Sequence, residues 1–159
     1  MSSKYIIIFI ITIPVIVLDQ FTKFYIQKSI KLHQSIKVID GLFDITYVLN
    51  KGAAFSFLAD KPEGFTIPFF VIVSVIAIGI IGFLFYQTKK NDYVSLIAFA
   101  LLLGGSIGNL IDRIRHGAVT DFLDFYFHQY HWPAFNVADS AITTGVFLFL
   151  FSQIFAKKT

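Results

Sequence analysis

The segment from Ile67 to Tyr86 contains no charged residue, and it restricts the folds that this chain can adopt. A helix needs roughly 20 residues to cross the hydrocarbon core of a bilayer, and this segment has that length. The alternative is a buried helix in a soluble bundle, but the segment has no polar face to turn toward water. The segment therefore predicts a membrane-spanning helix.

The composition of the chain is typical of a membrane protein with several such helices. Of its 159 residues, 56% are hydrophobic and 14% are charged, whereas soluble proteins carry about 25% charged residues. We expect a single integral membrane domain over residues 1–159, with an all-α membrane fold of four transmembrane helices. The predicted spans are approximately residues 5–25, 67–86, 93–112 and 136–156.

Residue types that are absent or few exclude several classes of function. The chain has no cysteine, which excludes disulfides, zinc–thiolate sites and cysteine nucleophiles. Its net charge is only +3 and no basic block is interleaved with aromatic residues, so we expect no nucleic-acid partner. No serine lies in a G-x-S-x-G nucleophile elbow, which needs a strand-to-helix turn: Ser106 in G104-G-S-I-G108 falls inside the predicted third span, which leaves a serine hydrolase without support.

Lysines near the predicted helix ends indicate how the chain is oriented in the membrane. With four spans, both termini and the loop between the second and third spans lie on the same side. These regions contain Lys4, Lys89, Lys90, Lys157 and Lys158, and the positive-inside rule makes that side cytoplasmic. The first loop also carries lysines on the opposite side, but they are diluted over a long segment and mixed with acidic residues.

The long first loop contains two β-type runs joined by a turn signal. The runs are IKVI and LFDITYVL, and Asp40-Gly41 lies between them. In the second run apolar residues alternate with Asp44 and Thr46, as expected of a strand with one apolar face. We predict a small extracytoplasmic antiparallel β-sheet in this loop, over approximately residues 35–58.

Four carboxylates lie at or between the last two predicted spans. They are Asp112, Asp121, Asp124 and Asp139, of which Asp121 and Asp124 are expected in an aromatic loop. Ionisable groups at membrane depth usually mark a working site. Two carboxylates held close together share one proton, so one can act as general base and the other as general acid. Asp139 is alternatively only a helix cap, and spacing alone does not choose its partner among the other three acids.

Other polar groups lie at spacings that place them on common helix faces. Asp19 and Lys23 are four residues apart, in the order that favours an ion pair, and we interpret them as a structural pair. Asn109, Asp112 and Arg113 also share a helix face. They suit either the binding of a peptide backbone or a helix end with a satisfied Asp–Arg pair, and the spacing does not decide between these interpretations.

A metal site at the two histidines near Asp124 has little support. His128 and His131 are three residues apart, but there is no HExxH motif and no convincing third ligand. We therefore expect no bound metal. The neighbouring Tyr130 and Trp132 instead indicate an aromatic belt at the membrane interface.

Five polar motifs, taken in order, are similar to those of the lipoprotein signal peptidases, also called signal peptidase II. The motifs are D19-Q-F-T-K23, N50-K-G-A-A-F55, G108-N-L-I-D-R113, V119-T-D121 and F135-N-V-A-D139-S. The resemblance covers essentially the whole chain, and five motifs in order are far more specific than any one of them. The second motif by itself suits either a close approach to a ligand or an ordinary turn.

The resemblance implies an activity and a role for each polar side chain. The activity is that of an aspartic endopeptidase, and the two aspartates that perform hydrolysis in that family correspond to Asp121 and Asp139. The residues expected to hold the substrate backbone are Asn50, Asn109, Arg113 and Asn136. The residues expected to support the site are Asp19, Lys23 and Asp112.

The resemblance also implies a substrate and a setting. The substrate is a prolipoprotein that carries diacylglycerol on a cysteine, and the enzyme cuts just before that cysteine. The enzyme would be a multi-pass protein of the bacterial cytoplasmic membrane, in contact with membrane lipid, with its active site at the outer face. It would act as a monomer without a cofactor. The competing hypothesis is a small transporter or channel subunit that uses the acids as a proton or cation relay, but the acids cluster at one membrane face rather than along a path.

Overall fold

Four long helices form most of the computed structural model, which describes residues 3–52 and 63–156. They are α1 (Ser3–Ser29), α2 (Glu63–Gln87), α3 (Tyr93–His116) and α4 (Val137–Ala156). Each is long and apolar enough to cross a membrane, so the prediction of four spans is confirmed within the described residues. Helix α1 continues past its predicted end near residue 25, because Asp19 and Lys23 are paired inside it rather than left as isolated charges.

Helix α3 is the centre of the bundle, since it packs against each of the other three helices. Small residues on its surface let the neighbouring helices approach closely. A Cβ atom built on Gly104 would lie 2.8 Å from Cβ of Val15 on α1. One built on Gly105 would collide with the backbone carbonyl of Ala138 on α4. Helices α1, α2 and α4 also carry many exposed large apolar side chains, as expected of surfaces that contact lipid.

Both ends of α3 are set by local chemistry. At its start, Oδ1 of Asp92 accepts a hydrogen bond of 3.1 Å from the backbone amide of Ser95. Gly117 follows its last turn in a left-handed conformation with φ of 69°, and the Gly117 amide donates to the carbonyl of Arg113 at 3.0 Å. This turn sends the chain almost directly from α3 into a β-strand that begins at Val119.

One antiparallel sheet lies at the end of the bundle where α1 ends and α4 begins, which we call the sheet end. Its strands, in spatial order, are β1 (Ser35–Ile39), β2 (Phe43–Asn50), β3 (Val119–Phe127) and β4 (Tyr130–His131). The predicted hairpin is confirmed, with Gly41 at φ of 78° in the turn between β1 and β2. The last part of the predicted β-type region, residues 53–58, lies outside the described residues.

The sheet is larger than predicted, because β3 and β4 come from the segment between α3 and α4, where we expected an aromatic loop. The run that forms β3 is rich in aromatic residues, which is typical of a strand. It pairs with β2 so that Asp121 lies opposite Val48. Phe122, the next residue along β3, packs against Ile26 and Ile30 near the end of α1, and this contact holds the sheet to the bundle.

Candidate active site

A cleft of about 570 Å³ at the sheet end contains both Asp121 and Asp139. Asp121 reaches it from β3 and Asp139 from the first turn of α4. Asn109 and Arg113 of α3 also line this cleft, as does Asn50 of β2. The structure therefore brings five of the predicted site residues to one cavity from four different elements.

Asp121 is nearly buried and is held by two side-chain amides. Nδ2 of Asn136 donates to Oδ1 of Asp121 at 2.7 Å, and Nδ2 of Asn50 donates to Oδ2 at 3.1 Å. Burial, followed by the charge of Asp139, raises the pKa of Asp121 to about 7. This carboxyl therefore exchanges its proton near neutral pH, as a group that acts in proton transfer must.

Asp139 makes a reciprocal cap with Asn136 at the start of α4. Oδ1 of Asn136 accepts from the backbone amide of Asp139 at 2.9 Å, and Oδ2 of Asp139 accepts from the backbone amide of Asn136 at 3.3 Å. The other oxygen of Asp139 accepts a hydrogen bond of 2.7 Å from Nδ2 of Asn109. The capping role considered from the sequence is thus present, and it leaves Asp139 on the wall of the cleft.

Lys23 determines which way the amide of Asn109 points. Its Nζ lies 2.9 Å from Oδ1 of Asn109, 2.9 Å from Asp19 and 3.2 Å from Asp112, and all four side chains are buried. Because an ammonium group only donates hydrogen bonds, the atom facing Lys23 must be the amide oxygen. The amide nitrogen of Asn109 therefore faces Asp139. Lys23, whose ion pair with Asp19 was predicted from the sequence, thus fixes the orientation of the Asn109 amide.

Asp19 and Asp112, the two acids beside Lys23, also fix the start of α4 and the start of β3. Oδ1 of Asp19 accepts from the backbone amide of Ala138 at 2.9 Å, which ties α1 to the first turn of α4. Oδ2 of Asp112 accepts from the backbone amide of Thr120 at 3.0 Å, which ties α3 to β3 beside Asp121. These supporting residues therefore position β3 and the first turn of α4, the two elements that carry Asp121 and Asp139.

The Asp–Arg pair considered for Asp112 and Arg113 is wrong, since Asp112 forms its ion pair with Lys23. Adjacent residues on a helix point about 100° apart, so sequence neighbours do not face each other. Arg113 instead lines the cleft, with its guanidinium carbon 5.5 Å from the ring centroid of Phe70 on α2.

Asn50 takes part in a local turn and also bonds a carboxyl of the cleft. Its Oδ1 accepts from the amide of Gly52 at 3.0 Å, as in a local turn, while its amide nitrogen donates to Asp121. The remaining residues of that motif, Ala53, Ala54 and Phe55, lie outside the described residues.

Asp124 is not part of the cleft. It lies three residues after Asp121 on β3, beyond an irregularity in the pairing with β2, and its carboxylate faces His131 of β4 rather than the cleft. Both carboxylate oxygens of Asp124 lie 3.0 Å from Nδ1 of His131. Within residues 3–52 and 63–156, no three histidine or acidic side chains are grouped as metal ligands would be.

Two residues of the site were missed in the sequence analysis. Nε2 of Gln20 bonds Asp112 at 3.0 Å and Asp19 at 3.2 Å. The backbone amide of Thr120 donates to Asp112, and Oγ1 of Thr120 accepts a hydrogen bond of 2.8 Å from Gln27. Gln20 lies inside the first motif and Thr120 inside the motif V119-T-D121, so in each case the motif was the available signal.

The fold and the site together define a class, a multi-pass membrane protein with two carboxylates in one cleft at an end of its helix bundle. The family model described as "Signal peptidase (SPase) II" matches residues 11–155. The chain belongs to the signal peptidase II family, as its five motifs indicated, and it is a peptidase.

Similar proteins match along nearly the whole chain. The lipoprotein signal peptidase of Geobacter sulfurreducens is 51% identical over 154 residues, which is 97% of this chain and 95% of that protein. The one from Syntrophus aciditrophicus is 51% identical over 157 residues, which is 98% of this chain and 97% of that protein. A bacterial membrane enzyme solved by the in meso method at 2.3 Å superposes with a TM-score of 0.85 at 33% identity, covering 95% of this chain and 89% of that one.

Proposed function

We propose that this peptidase is an aspartic endopeptidase that removes the signal peptide from prolipoproteins by cutting before a diacylglyceryl-modified cysteine. Asp121 and Asp139 are its catalytic residues. It works as a monomer without a cofactor, in the bacterial cytoplasmic membrane, with the sheet end at the outer face. The similar proteins named above are lipoprotein signal peptidases, which supports this class of substrate.

The observation that carries the proposal is the arrangement of the two carboxylates. Each lines the same cleft and each accepts a 2.7 Å hydrogen bond from a different asparagine amide. Those amides belong to Asn136 and Asn109, which are themselves joined at 3.3 Å. Because the pKa of Asp121 is raised to about 7, the two carboxyls can hold one proton between them near neutral pH, and a pair of this kind supplies both a general acid and a general base.

The reaction follows from this shared proton. Asp121, whose pKa burial raises to about 7, holds the proton and donates it to the oxygen of the scissile carbonyl. Asp139 takes a proton from water as the water oxygen attacks the carbonyl carbon. The tetrahedral species then collapses: Asp121 takes the hydroxyl proton back as the carbonyl re-forms, the C–N bond breaks, and Asp139 passes the proton from water to the leaving amine. Asn50 and Arg113 lie on the same cleft wall, where donors can hold substrate carbonyls.

The position of the cleft suits a substrate that stays in the membrane. Ile142 and Thr143 of α4 line it together with the two carboxylates, so the cavity extends from the sheet along a membrane-spanning helix. A lipid-anchored peptide can enter such a cavity from the bilayer, while water reaches the carboxylates from the sheet end.

Cleavage of a purified prolipoprotein in lipidated and unlipidated form tests the proposal. Asp121→Asn and Asp139→Asn should each reduce cleavage by on the order of 10²–10⁴ while leaving the folded protein in the membrane. Asp124→Asn is the matched control and should keep most activity, since the carboxylate of Asp124 pairs with His131 and does not line the cleft. Chelators should not change the rate. Cleavage at the parent rate by either dyad variant would contradict the catalytic assignment, and equal cleavage of the unlipidated form would contradict the substrate class.

A further inference from the structure

Residues 125–134 comprise the end of β3, a tight turn, β4 and the three residues after it, and they contain no Asp, Glu, Lys or Arg. We call this segment the aromatic hairpin. Three of its large side chains are strongly exposed: Phe127 at 68%, Tyr130 at 73% and Trp132 at 65%. Several large rings exposed together form a surface that water solvates poorly.

The hairpin presents these rings in a fixed direction. Nδ1 of His131 lies 3.0 Å from both carboxylate oxygens of Asp124, and the His131 ring stacks on Tyr126 with centroids 4.8 Å apart. The amide of Trp132 donates to the carbonyl of Phe125 at 2.8 Å. These contacts tie the tip to β3, so the exposed rings are part of a rigid element rather than of a loose loop.

The hairpin also lies beside a membrane-spanning helix. Trp132 lines the same cleft as Ile142 and Thr143, which belong to α4 beyond its first turn. A side chain at this position is close to the end of a span, where Trp and Tyr are enriched in membrane proteins. Their rings combine an apolar body with one polar atom, which suits the boundary between headgroups and acyl chains.

We propose that the aromatic hairpin is embedded in the headgroup–acyl boundary of the bilayer, with Phe127, Tyr130 and Trp132 in contact with lipid. It is a membrane contact separate from the four helices. Because β3 carries both this hairpin and Asp121, the contact sets the height of that carboxyl relative to the bilayer surface. The inference rests on the membrane-spanning fold and does not depend on the proposed cleavage reaction.

Trp132 is the only tryptophan of the chain, so its fluorescence reports this position without background. The protein is reconstituted into phosphatidylcholine–phosphatidylglycerol vesicles whose acyl chains are brominated either near the headgroup or near the methyl end. Embedding predicts blue-shifted emission, strong quenching by the shallow bromines, weaker quenching by the deep ones and little quenching by aqueous acrylamide. Emission like that of tryptophan in water, quenched by acrylamide and not by bromine, would overturn the proposal.

A double variant separates an embedded hairpin from lipid that enters the cleft. Among the residues described, Phe127 and Tyr130 do not line the cleft, so Phe127→Ser with Tyr130→Ser removes two lipid contacts and keeps Trp132. Quenching by shallow bromines should fall and quenching by acrylamide should rise. Gln129→Ser alters an exposed polar residue of the same turn and should match the parent. Unchanged quenching in the double variant would show that lipid reaches Trp132 through the cleft, and the hairpin would then not be the anchor.

Discussion

The side-chain amide of Asn136 donates a 2.7 Å hydrogen bond to Oδ1 of Asp121, which lies 15 residues earlier in the chain. The same side chain caps α4 through its oxygen, which accepts from the backbone amide of Asp139. One asparagine thus bonds both candidate catalytic residues and also starts the helix that carries one of them. Stability and catalysis are therefore coupled at this position, and substitutions can separate the two contributions.

Replacing Asn136 tests this coupling. Asn136→Ala removes the cap and leaves a buried carboxyl without its donor, so unfolding should become easier by about 1–3 kcal/mol. Asn136→Ser keeps a good capping group but loses the amide, so it should recover most of the stability. Both variants should cleave about ten- to a hundredfold more slowly. Thermal unfolding in detergent and the cleavage rate are the two measurements.

The control for these variants is Asn91→Ala, which changes an exposed asparagine in the turn between α2 and α3. It should unfold and cleave like the parent. If Asn136→Ser cleaves at the parent rate, the bond from Asn136 to Asp121 has no part in the reaction, whatever the stability of the variant.

The raised pKa of Asp121 predicts how the cleavage rate responds to pH. Burial and the charge of Asp139 raise the pKa of Asp121 from 3.8 to about 7. At higher pH Asp121 loses the proton that the proposed mechanism needs, so kcat/KM should fall, approaching about tenfold per pH unit. A profile measured from about pH 5 to about pH 9 checks this. A rate that stays level throughout the alkaline half of that range would exclude Asp121 as the acid.

The raised pKa of Asp121 also makes stability depend on pH. The direction of this dependence is opposite to that for an ion-paired acid, whose pKa is lowered by folding. The folded state keeps the proton on Asp121 up to a pH of about 7, whereas the unfolded chain releases it near 3.8. Between these values the folded state binds more protons, so this group makes stability fall as the pH rises. Asp121→Asn should therefore show a flatter dependence of the unfolding midpoint on pH than the parent.

The elements that the sequence predicted well are those determined by local pattern. A charge-free run such as Ile67 to Tyr86 identifies a span by its length, and Asp40-Gly41 identifies a tight turn. The pairing of β2 with β3 was not predictable in the same way, because it brings together segments that are distant in the sequence. The bond from Asn50 to Asp121 joins positions 71 residues apart.

The partners within the candidate site were harder to predict than its members. Lys23 was paired correctly with Asp19, one helical turn away. Its contacts with Asn109 and Asp112 were not foreseen, since they depend on how α1 packs against α3. For the same reason the sequence left open a pair between Asp112 and its neighbour Arg113, although the two side chains point in different directions. Helical spacing shows which residues share a face, but only packing shows what that face meets.

The orientation of the chain in the membrane is a separate prediction. We expect the sheet end outside and the loop between α2 and α3, which carries Lys89 and Lys90, in the cytoplasm. The chain has no cysteine, so single cysteines can be introduced at the exposed Lys31 and Asn91. A membrane-impermeant maleimide applied to intact cells should label Lys31→Cys and should label Asn91→Cys only after the cells are opened. The reverse pattern would refute the orientation.

The buried charges around Lys23 give the last prediction. Lys23 is 1% exposed and contacts two acids that are equally buried, Asp19 at 0% and Asp112 at 2%. Lys23→Met removes the only cation within ion-pair distance of these acids in the described part of the chain, and leaving buried charges uncompensated costs about 3–5 kcal/mol. The variant also frees the amide of Asn109 to turn, so that its oxygen can face Asp139 and weaken that contact. We therefore expect a large drop in the unfolding midpoint together with lost cleavage.

The matched control is Lys37→Met, which breaks an ion pair of nearly the same length in a different environment. Nζ of Lys37 lies 3.0 Å from Asp40, but the two side chains are 72% and 86% exposed. Water and salt screen such a pair, so its loss should leave both the unfolding midpoint and the cleavage rate unchanged. If Lys23→Met and Lys37→Met unfold at the same temperature as the parent, the buried triad does not hold α1 against α3. If Lys23→Met unfolds early but the fraction that remains folded cleaves at the parent rate, Lys23 does not orient Asn109 for the reaction.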